Sequence, residues 1–274
     1  MSTRMELTGR IAVITGAGDG IGRALACELA AHGTHLALAD IDVPGLEETR
    51  RLVEPHGVRV STHRLDVADA EAVAAFPATT AVHHAGVDLL INNAGVALGG
   101  TFEQIAPADF AWLFGINFWG VVNMTRAFLP VLARSSDARI VNLSSLFGLI
   151  APAGQSAYAA SKFAVRGFSQ SLRLELAGTN IGVTVVHPGG IATAIAKNAR
   201  EPAGIAPETS ARNQRAWKKM LTMPPETAAS IIVDAVRRRR ARVIVGRDAQ
   251  IAALAERIAP ISYGELLKKL APRR

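Results

Sequence analysis

The amino-acid sequence predicts a single α/β domain built on a doubly wound parallel sheet with helices on both faces. Short apolar runs alternate with segments of helical periodicity, the order that parallel βαβ units require. Hydrophobic residues make up 49% of the 274 residues and charged residues 19%, which suits a sheet buried on both faces. No internal repeat and no low-complexity linker divides residues 1–274 into two domains.

The first elements surround a glycine cluster. Residues 11–14 (IAVI) are apolar and are followed at once by glycines, which is typical of a buried strand. Pro77 should end the third helix, because proline has no N–H to donate and its ring clashes with the preceding turn. The predicted elements up to that point are a strand over 11–14, a helix over 21–31, a strand over 35–40, a helix over 47–52, a strand over 58–65 and a helix over 70–76.

The alternation continues in the second half of the chain. Residues 191–225 lack clean periodicity, and we expect a substrate lid there. Residues 249–274 are expected to form a C-terminal tail, whose basic and amphipathic part could pack on the lid, on a second subunit or on a membrane surface. The remaining predicted elements are a strand over 87–91, a long helix over 107–132, a strand over 139–143, a helix over 156–176 and a strand over 182–186.

The charge of the chain is basic, with a formal net charge of +7 and a pI near 10.2. The excess lies in the C-terminal third, where residues 237–240 are four consecutive arginines. We interpret this run as a solvated helix face. No aromatic residues are interleaved with it, so we predict no nucleic-acid partner.

The remaining composition indicates the compartment and excludes some ligands. Cys27 is the single cysteine, so no intrachain disulfide can form, which fits a cytoplasmic protein. No stretch approaches about 18 uninterrupted apolar residues, and residues 1–10 lack the pattern of a signal peptide. We therefore predict no integral membrane segment. The seven histidines show no metal-ligand spacing with cysteine or acids, and no metal is predicted.

A glycine-rich turn follows the first strand and opens the first helix. Its pattern is T-G-x-x-x-G-x-G over residues 15–22, with Ile21 where the generic dinucleotide pattern has glycine. Glycines allow a pyrophosphate to approach the backbone N–H groups and the positive end of the helix dipole. A purely structural turn is the alternative. The candidate phosphate-binding residues are Gly16, Gly18, Asp19, Gly20, Ile21 and Gly22.

Asp40 ends the second predicted strand, 18 residues after Gly22. That is near the position of the acid that hydrogen-bonds the adenosine ribose in dinucleotide-binding folds. A carboxylate there would repel the 2′-phosphate of NADP, and neither Asp19 nor Ile41 offers a compensating positive charge. The sequence therefore predicts NAD in preference to NADP, with a solvated loop acid as the alternative for Asp40.

Tyr158 and Lys162 are four residues apart in a predicted helix, so their side chains project from the same face. A free phenol has a pKa of about 10, and a nearby ammonium group favours the phenolate, which would make Tyr158 a usable base. Ser145 follows the strand over 139–143 and could hydrogen-bond the substrate oxygen. The Y-x-x-x-K spacing alone also occurs by chance in helices.

In combination these motifs resemble the short-chain dehydrogenase/reductase family, with a match from about Gly9 to Thr193. The resemblance implies a Rossmann-like fold and a catalytic tetrad of Asn117, Ser145, Tyr158 and Lys162. The order of the motifs is also that of the family. The further cofactor-binding residues that it implies are Ile41, Asp66 and Val67 beside the adenine, Asn93, Ala94 and Gly95 of the N-N-A-G motif, Tyr158 and Lys162, and Pro188, Gly189, Ile191 and Thr193 at the nicotinamide.

The activity implied by the resemblance is an NAD(H)-dependent oxidoreductase acting on CH–OH groups, as a short-chain alcohol dehydrogenase or ketone reductase. Apolar residues near the expected site, including Leu146 and Phe147, favour a hydrophobic secondary alcohol or ketone. A catalytically silent NAD(H)-binding redox sensor is the rival interpretation, which the intact tetrad disfavours. Family members assemble as dimers or tetramers, and the apolar helix over 107–132 would form such an interface unless one subunit buries it.

Overall fold

A computed structural model describes residues 4–202, 205, 208, 215 and 219–265 of the chain. Within them, seven strands form one parallel sheet in the order β3-β2-β1-β4-β5-β6-β7. This arrangement confirms the predicted doubly wound sheet in a single domain. The strands are β1 (Ile11–Thr15), β2 (His35–Asp40), β3 (Val60–Arg64), β4 (Leu89–Asn92), β5 (Ala138–Leu143), β6 (Ile181–Pro188) and β7 (Arg242–Val245).

Helices cover both faces of the sheet. On one face α1 and α7 pack against each other, and on the other α3 packs against α5. Single 3₁₀ turns cover Glu54–His56 and Leu146–Gly148. The helices are α1 (Gly20–Ala31), α2 (Val43–Val53), α3 (Ala70–Ala81), α4 (Pro107–Phe114), α5 (Gly120–Leu132), α6 (Ser156–Glu175), α7 (Pro225–Arg237) and α8 (Arg247–Ile258).

The core consists of two apolar layers separated by the sheet. Successive strand residues point to opposite faces, so Ile14 joins the layer under α1 and α7, while Val13 joins the layer under α3 and α5. The first layer includes Leu25 and Ile232, and the second includes Phe128. Burial on both faces explains why β1, β2 and β4 are apolar runs without alternation.

The third helix departs from its prediction, because Pro77 lies inside α3 and does not end it. Proline removes one helical hydrogen bond, but Val73, Phe76 and Thr80 are buried on both sides of it. Their packing outweighs the local loss. The predicted helix over 107–132 is continuous but contains a π-helical segment, Gly115–Trp119, between α4 and α5.

The C-terminal elements α7, β7 and α8 were not predicted. The arginine run is not a helix face: it begins at the last residue of α7 and continues into a turn where Arg239 has φ +56° and pairs with Asp137 in two hydrogen bonds of 2.6 Å. The expected tail, 249–274, begins inside α8, and residues 266–274 lie outside the described residues.

The expected lid, residues 191–225, overlaps the first residue of α7 and is described only in part. Its described residues form two isolated bridges, one to the rest of the chain, Arg200 to Leu98, and one within the segment, Ile191 to Met223. A search for membrane-spanning helices over the described residues found no candidate of sufficient length and apolarity.

Candidate active site

A cleft of about 560 Å³ lies beyond the carboxyl ends of the strands. It extends across β1 and β4, which are sheet neighbours although β2 and β3 lie between them in the chain. This is the point where the strand order reverses, and ligands of open α/β sheets bind at such a point. All the predicted cofactor-binding residues line the cleft except Gly22.

The glycine turn between β1 and α1 is held by the N-N-A-G motif after β4. Asn93 Nδ2 donates to the carbonyl oxygens of Thr15 and Gly16, both at 3.0 Å. Thr15 Oγ1 accepts hydrogen bonds from the backbone N–H groups of Asn93 and Ala94, both at 3.1 Å. The turn is therefore fixed from β4 without using the N–H groups of α1 that open towards the cleft.

At two positions of this turn the backbone conformation or the close packing leaves no room for a side chain. Gly16 has φ +65°, which L side chains rarely adopt, and a Cβ there would lie 2.8 Å from Ala94 Cα. A Cβ at Gly22 would overlap the carbonyl oxygen of Gly16 and lie 2.6 Å from Asn93 Nδ2. Gly22 thus packs against the Gly16 carbonyl and the Asn93 side chain inside the turn, and it does not line the cleft.

Asp40 lies at the end of the cleft that the sequence predicts to hold the adenosine, called the adenosine end below, and it fixes the same turn. Its carboxylate accepts hydrogen bonds from Gly18 N at 2.8 Å and from Asp42 N at 3.0 Å. Arg23, which the sequence analysis did not single out, also lines this end. Its guanidinium donates to the carbonyl oxygen of Gly18 and to Thr49 Oγ1, so these N–H groups are directed at protein oxygens. Ile41, Asp66 and Val67 line the cleft beside Asp40.

Ser145, Tyr158 and Lys162 meet at the opposite end of the cleft. Ser145 follows β5, and its Oγ accepts a hydrogen bond from Phe147 N at 3.1 Å. Tyr158 and Lys162 project from α6, and Lys162 Nζ lies 5.7 Å from the centroid of the Tyr158 ring. Lys162 Nζ also donates to the carbonyl oxygen of Leu143 at 3.1 Å. The end of β5 and the first turns of α6 therefore bring the three side chains together.

The electrostatics of this group differ from the sequence-based expectation. Burial raises the pKa of Tyr158, and a hydrogen bond with Ser145 opposes that rise. Burial lowers the pKa of Lys162 to about 8. The group that favours the Tyr158 phenolate is thus Ser145, whereas the sequence assigned this effect to Lys162. A raised pKa keeps Tyr158 a phenol near neutral pH, able to donate its proton.

Asn117 does not face the cleft. It is fully buried in the π-helical segment, where its Oδ1 accepts from Val96 N at 2.8 Å and its Nδ2 donates to Val96 O at 3.0 Å. Gly95 separates it from Lys162: a Cβ at Gly95 would lie 3.2 Å from Asn117 Oδ1 and 3.4 Å from Lys162 Nζ. Asn117 therefore holds the strand-end backbone beside the lysine, and its side chain does not join the surface formed by the other three residues.

The end of β6 and the loop that follows it line the cleft next to the glycine turn. Pro188, Gly189, Ile191 and Thr193 line it. A Cβ at Gly20 would lie 2.9 Å from Thr193 Cγ2, so the loop and the turn touch. His187 precedes this loop, is fully buried, and pairs through Nδ1 with the carbonyl oxygen of Ser145 at 3.0 Å. His187 therefore packs at the end of β6 and does not line the cleft.

Several residues of the site carry no sequence motif. Asp248, at the start of α8, lines the cleft and accepts a hydrogen bond from Gly190 N at 2.7 Å. Arg200 closes the loop over residues 97–99 by stacking 3.7 Å above the Trp112 ring and pairing with Asp109 at 2.7 Å. No local pattern points to these residues, because their partners are distant in the chain. Among the described residues no group of three or more histidines, cysteines or acids could hold a metal ion.

Comparisons with known proteins place this geometry in a family. The family model for short chain dehydrogenases matches residues 10–204. The chain is 46% identical over 261 residues to SadH of Mycobacterium tuberculosis, a protein named as an oxidoreductase, with 94% of each chain covered.

Two solved structures are also similar. A Burkholderia phymatum short chain dehydrogenase/reductase in complex with NAD has 30% identity and a TM-score of 0.84, with 98% of each chain covered. An alcohol dehydrogenase of the archaeon Thermococcus sibiricus, complexed with 5-hydroxy-NADP, has 26% identity and a TM-score of 0.73, with 86% of this chain and 94% of that chain covered. With the matched motifs and the shared fold, these findings make the protein an oxidoreductase of the short-chain dehydrogenase/reductase family.

Proposed function

We propose that this protein transfers a hydride between NAD(H) and a hydrophobic secondary alcohol or ketone, with Tyr158 moving the proton. The observation that carries this proposal is the placement of Ser145, Tyr158 and Lys162 together at one end of a cleft whose other end carries Asp40. A dinucleotide held at its centre by the glycine turn would extend from Asp40 to Tyr158.

The residues fit a dinucleotide cofactor. The glycine turn leaves backbone N–H groups at the start of α1, where the helix dipole favours a pyrophosphate. Asp40 would hold the adenosine ribose, Asp66 and Val67 the adenine, and the loop from Pro188 to Thr193 the nicotinamide end. The nicotinamide ring supplies hydride acceptance or donation at its C4 atom.

The chain's own groups carry the proton chemistry. In reduction, the Tyr158 phenol donates its proton to the carbonyl oxygen, and in oxidation it accepts the alcohol proton. Ser145 donates a hydrogen bond to the reacting oxygen, where negative charge develops in the transition state. Lys162, one helical turn after Tyr158 with Nζ 5.7 Å from the centroid of its ring, would bind the nicotinamide ribose, and the hydrogen bond from Ser145 favours the phenolate. Asn117 would contribute to the tetrad only indirectly, by holding the backbone of Val96 through two hydrogen bonds.

The proposed preference for NAD rests on the charge of Asp40. Its carboxylate would lie beside the 2′ position of the adenosine ribose, and Arg23, the cation that lines this end, directs N–H groups to Gly18 O and Thr49 Oγ1. Repulsion should therefore disfavour NADP. The similar solved structures include both NAD and NADP complexes, so this preference is a property to be measured for this chain.

The substrate, the lid and the assembly are proposed from the apolar surfaces. The cleft near Tyr158 is lined by Leu146, Phe147, Ile195, Met220 and Leu221, which favours a hydrophobic substrate. Part of this lining belongs to residues 191–225, which we propose act as the lid.

The proposed subunit interface of a homodimer or homotetramer is the helix over 107–132, where 54% of the surface of Trp119 is exposed. The cytoplasmic location stays a prediction from the single cysteine.

The test combines cofactor titration with turnover. NADH and NADPH binding is measured by fluorescence, followed by a turnover screen over alcohols and ketones of graded size with the preferred cofactor. We expect tighter binding of NADH. Replacing Tyr158 by Phe should lower kcat by at least about 1,000-fold, because proton transfer and its electrostatic support are both lost, while the dissociation constant for NADH stays within about twofold.

The matched control is Tyr263→Phe, which removes the other tyrosine hydroxyl of the chain. That hydroxyl accepts a hydrogen bond from the backbone N–H of Ala151, which lies 112 residues away in the chain. Turnover retained in Tyr158→Phe would remove this tyrosine from the proton-transfer role. Tight NADH binding with no turnover on any compound by the unaltered protein would favour the redox-sensor interpretation.

A further inference from the structure

Asp248 joins two parts of the fold that meet at the catalytic end of the cleft. It is the second residue of α8, and its Oδ2 accepts the hydrogen bond from Gly190 N at 2.7 Å across 58 residues of chain. The adjacent Gly189 N donates to Val245 O at 2.8 Å. The Gly189–Gly190 turn is therefore held by β7 from one side and by the Asp248 carboxylate from the other.

The surroundings of this carboxylate are closely fitted. A Cβ at Gly189 would overlap Oδ2, and a Cβ at Gly246 would overlap Oδ1. Gly246 has φ +104° and provides the N-cap of α8. Asp248 lies in the first turn of that helix, where the helix dipole stabilises a negative charge. The carboxylate thus has a defined position against the turn.

The position matters because of what the turn contacts. The glycine turn after β1 holds the centre of the cleft and Asp40 its adenosine end, so a bound dinucleotide would place its nicotinamide between Tyr158 and the loop after β6. Asp248 lines the cleft at that end together with Gly189 and Gly190. The other acids that line the cleft lie around the adenosine end and the glycine turn, namely Asp19, Asp40, Asp42 and Asp66.

A negative charge at Asp248 would affect the binding of the oxidised and reduced forms of the cofactor differently. The nicotinamide ring is positively charged in NAD⁺ and neutral in NADH. A nearby carboxylate attracts the first and has little direct interaction with the second. The effect of Asp248 on binding should therefore have two separable parts, one from its hydrogen bond to Gly190 and one from its charge.

We propose that Asp248 is a positioning residue that fixes the Gly189–Gly190 turn against the nicotinamide and whose negative charge favours binding of NAD⁺ over NADH. This inference rests on the proposed function, since it requires that the cleft bind NAD(H). It assigns a role to a residue outside every motif of the sequence. The test separates the two parts by removing the charge first and the hydrogen-bond acceptor second.

The experiment measures the dissociation constants of NAD⁺ and NADH by isothermal titration calorimetry for the full chain and two variants. Asp248→Asn retains an oxygen that can accept from Gly190 N but has no charge. We expect it to weaken NAD⁺ binding about fivefold and NADH binding by less than about twofold. Asp248→Ala also leaves Gly190 N without its acceptor, and we expect it to weaken both forms by a further factor of about five.

Glu256→Gln is the matched control, because it removes one negative charge from the same helix at a residue that does not line the cleft. It should leave both dissociation constants unchanged. Thermal unfolding of each variant establishes that the chain is folded under the titration conditions, and Asp248→Asn provides the test even where Asp248→Ala is unstable.

The outcomes are distinguishable. An unchanged ratio of NAD⁺ to NADH affinity in Asp248→Asn, with both forms bound by the unaltered protein, would overturn the charge role alone and leave the proposed function intact. Equal affinities of Asp248→Ala and Asp248→Asn would overturn the positioning role. Failure of the unaltered protein to bind either form would overturn the proposed function and this inference together.

Discussion

The two ends of the cleft are built by different kinds of residue. At the adenosine end and the glycine turn, contacts join two recognisable motifs, as when Asn93 of N-N-A-G holds Thr15 and Gly16 of the glycine turn. At the substrate end, besides the hydrogen bond between Ser145 and Tyr158, contacts join a motif to a residue with no motif, as with Gly190 and Asp248, or join two residues with none, as with Arg200 and Asp109.

The difference follows from what each end has to recognise. A dinucleotide has the same phosphates and ribose in every protein that binds it, so a fixed backbone geometry suits it and glycine is required at fixed positions. A substrate differs from protein to protein, and loops on a constant scaffold can vary to match it. Mutations at the two ends should therefore separate cofactor binding from substrate binding.

The largest effect is expected from Gly22→Ala at the adenosine end. Its Cβ would overlap the Gly16 carbonyl oxygen, and relief of that overlap by shifting backbone costs about 3 kcal/mol. We expect the dissociation constant for NADH to rise by about 100-fold or the protein to lose its cooperative unfolding transition. Fluorescence titration and circular dichroism measure these two results.

Gly86→Ala is the control for this change, since a Cβ at Gly86 meets no atom within 4 Å. It should bind NADH as the unaltered protein does. Normal NADH binding by Gly22→Ala would show that the turn tolerates a side chain and that the proposed backbone geometry is not required.

A smaller effect is expected on the free energy of unfolding at acid pH, which two buried histidines should lower by similar amounts. Burial lowers the pKa of His84, which pairs with Ser61 of β3, and of His187, which pairs with the Ser145 carbonyl, to about 4 in each case. Both imidazoles are neutral in the folded protein, whereas the unfolded chain binds protons below a pH of about 6.5. Their neutral forms therefore favour folding above pH 6.5, and this stability is lost as the pH falls towards 4.

Between pH 7.5 and pH 5 each histidine should lower the free energy of unfolding by about 2 kcal/mol. Urea unfolding of His84→Gln at both pH values is expected to show a pH dependence smaller by that amount, and the exposed His56→Gln should show no such reduction. Two separate transitions would contradict a single domain, and an unchanged pH dependence in His84→Gln would contradict the lowered pKa of His84.

The smallest effect is expected from Arg200→Ala at the substrate end. The ring stacking on Trp112 and the exposed pair with Asp109 contribute about 1 kcal/mol together. Their loss should loosen residues 195–202, some of which line the cleft but none of which is a predicted cofactor contact, and raise KM for the substrate about three- to fivefold. The dissociation constant for NADH should not change, because neither Arg200 nor its partners line the cofactor part of the cleft.

Arg238→Ala removes an exposed arginine that pairs with Asp234 at 2.9 Å, far in sequence from the lid, and it should leave both constants unchanged. A rise in the NADH dissociation constant equal to the rise in KM would show that Arg200 acts on the whole cleft. The distinction between its two ends would then fail at this position.

Much of the fold could be predicted because its signals are local. The apolar runs of β1, β2 and β5 and the periodicity of α1 and α6 extend over neighbouring residues, and burial on both faces of a parallel sheet requires them. The region from α7 to α8 was missed, although residues 225–237 carry a proline in the first turn and helical periodicity. Its strand, β7, has only four residues at the edge of the sheet, which gives a weak pattern.

The sequence by itself determined the order of strands and helices from β1 to β6, the glycine turn and the meeting of Ser145, Tyr158 and Lys162, because strand ends and helix spacing place those residues. Only the tertiary structure decided that Asn117 turns to the backbone of Val96, that α3 continues through Pro77 and that Asp248 holds the Gly189–Gly190 turn. The physical reason is that periodicity and backbone conformation are properties of neighbouring residues. Burial and hydrogen-bond partners, by contrast, depend on which distant segments meet in space.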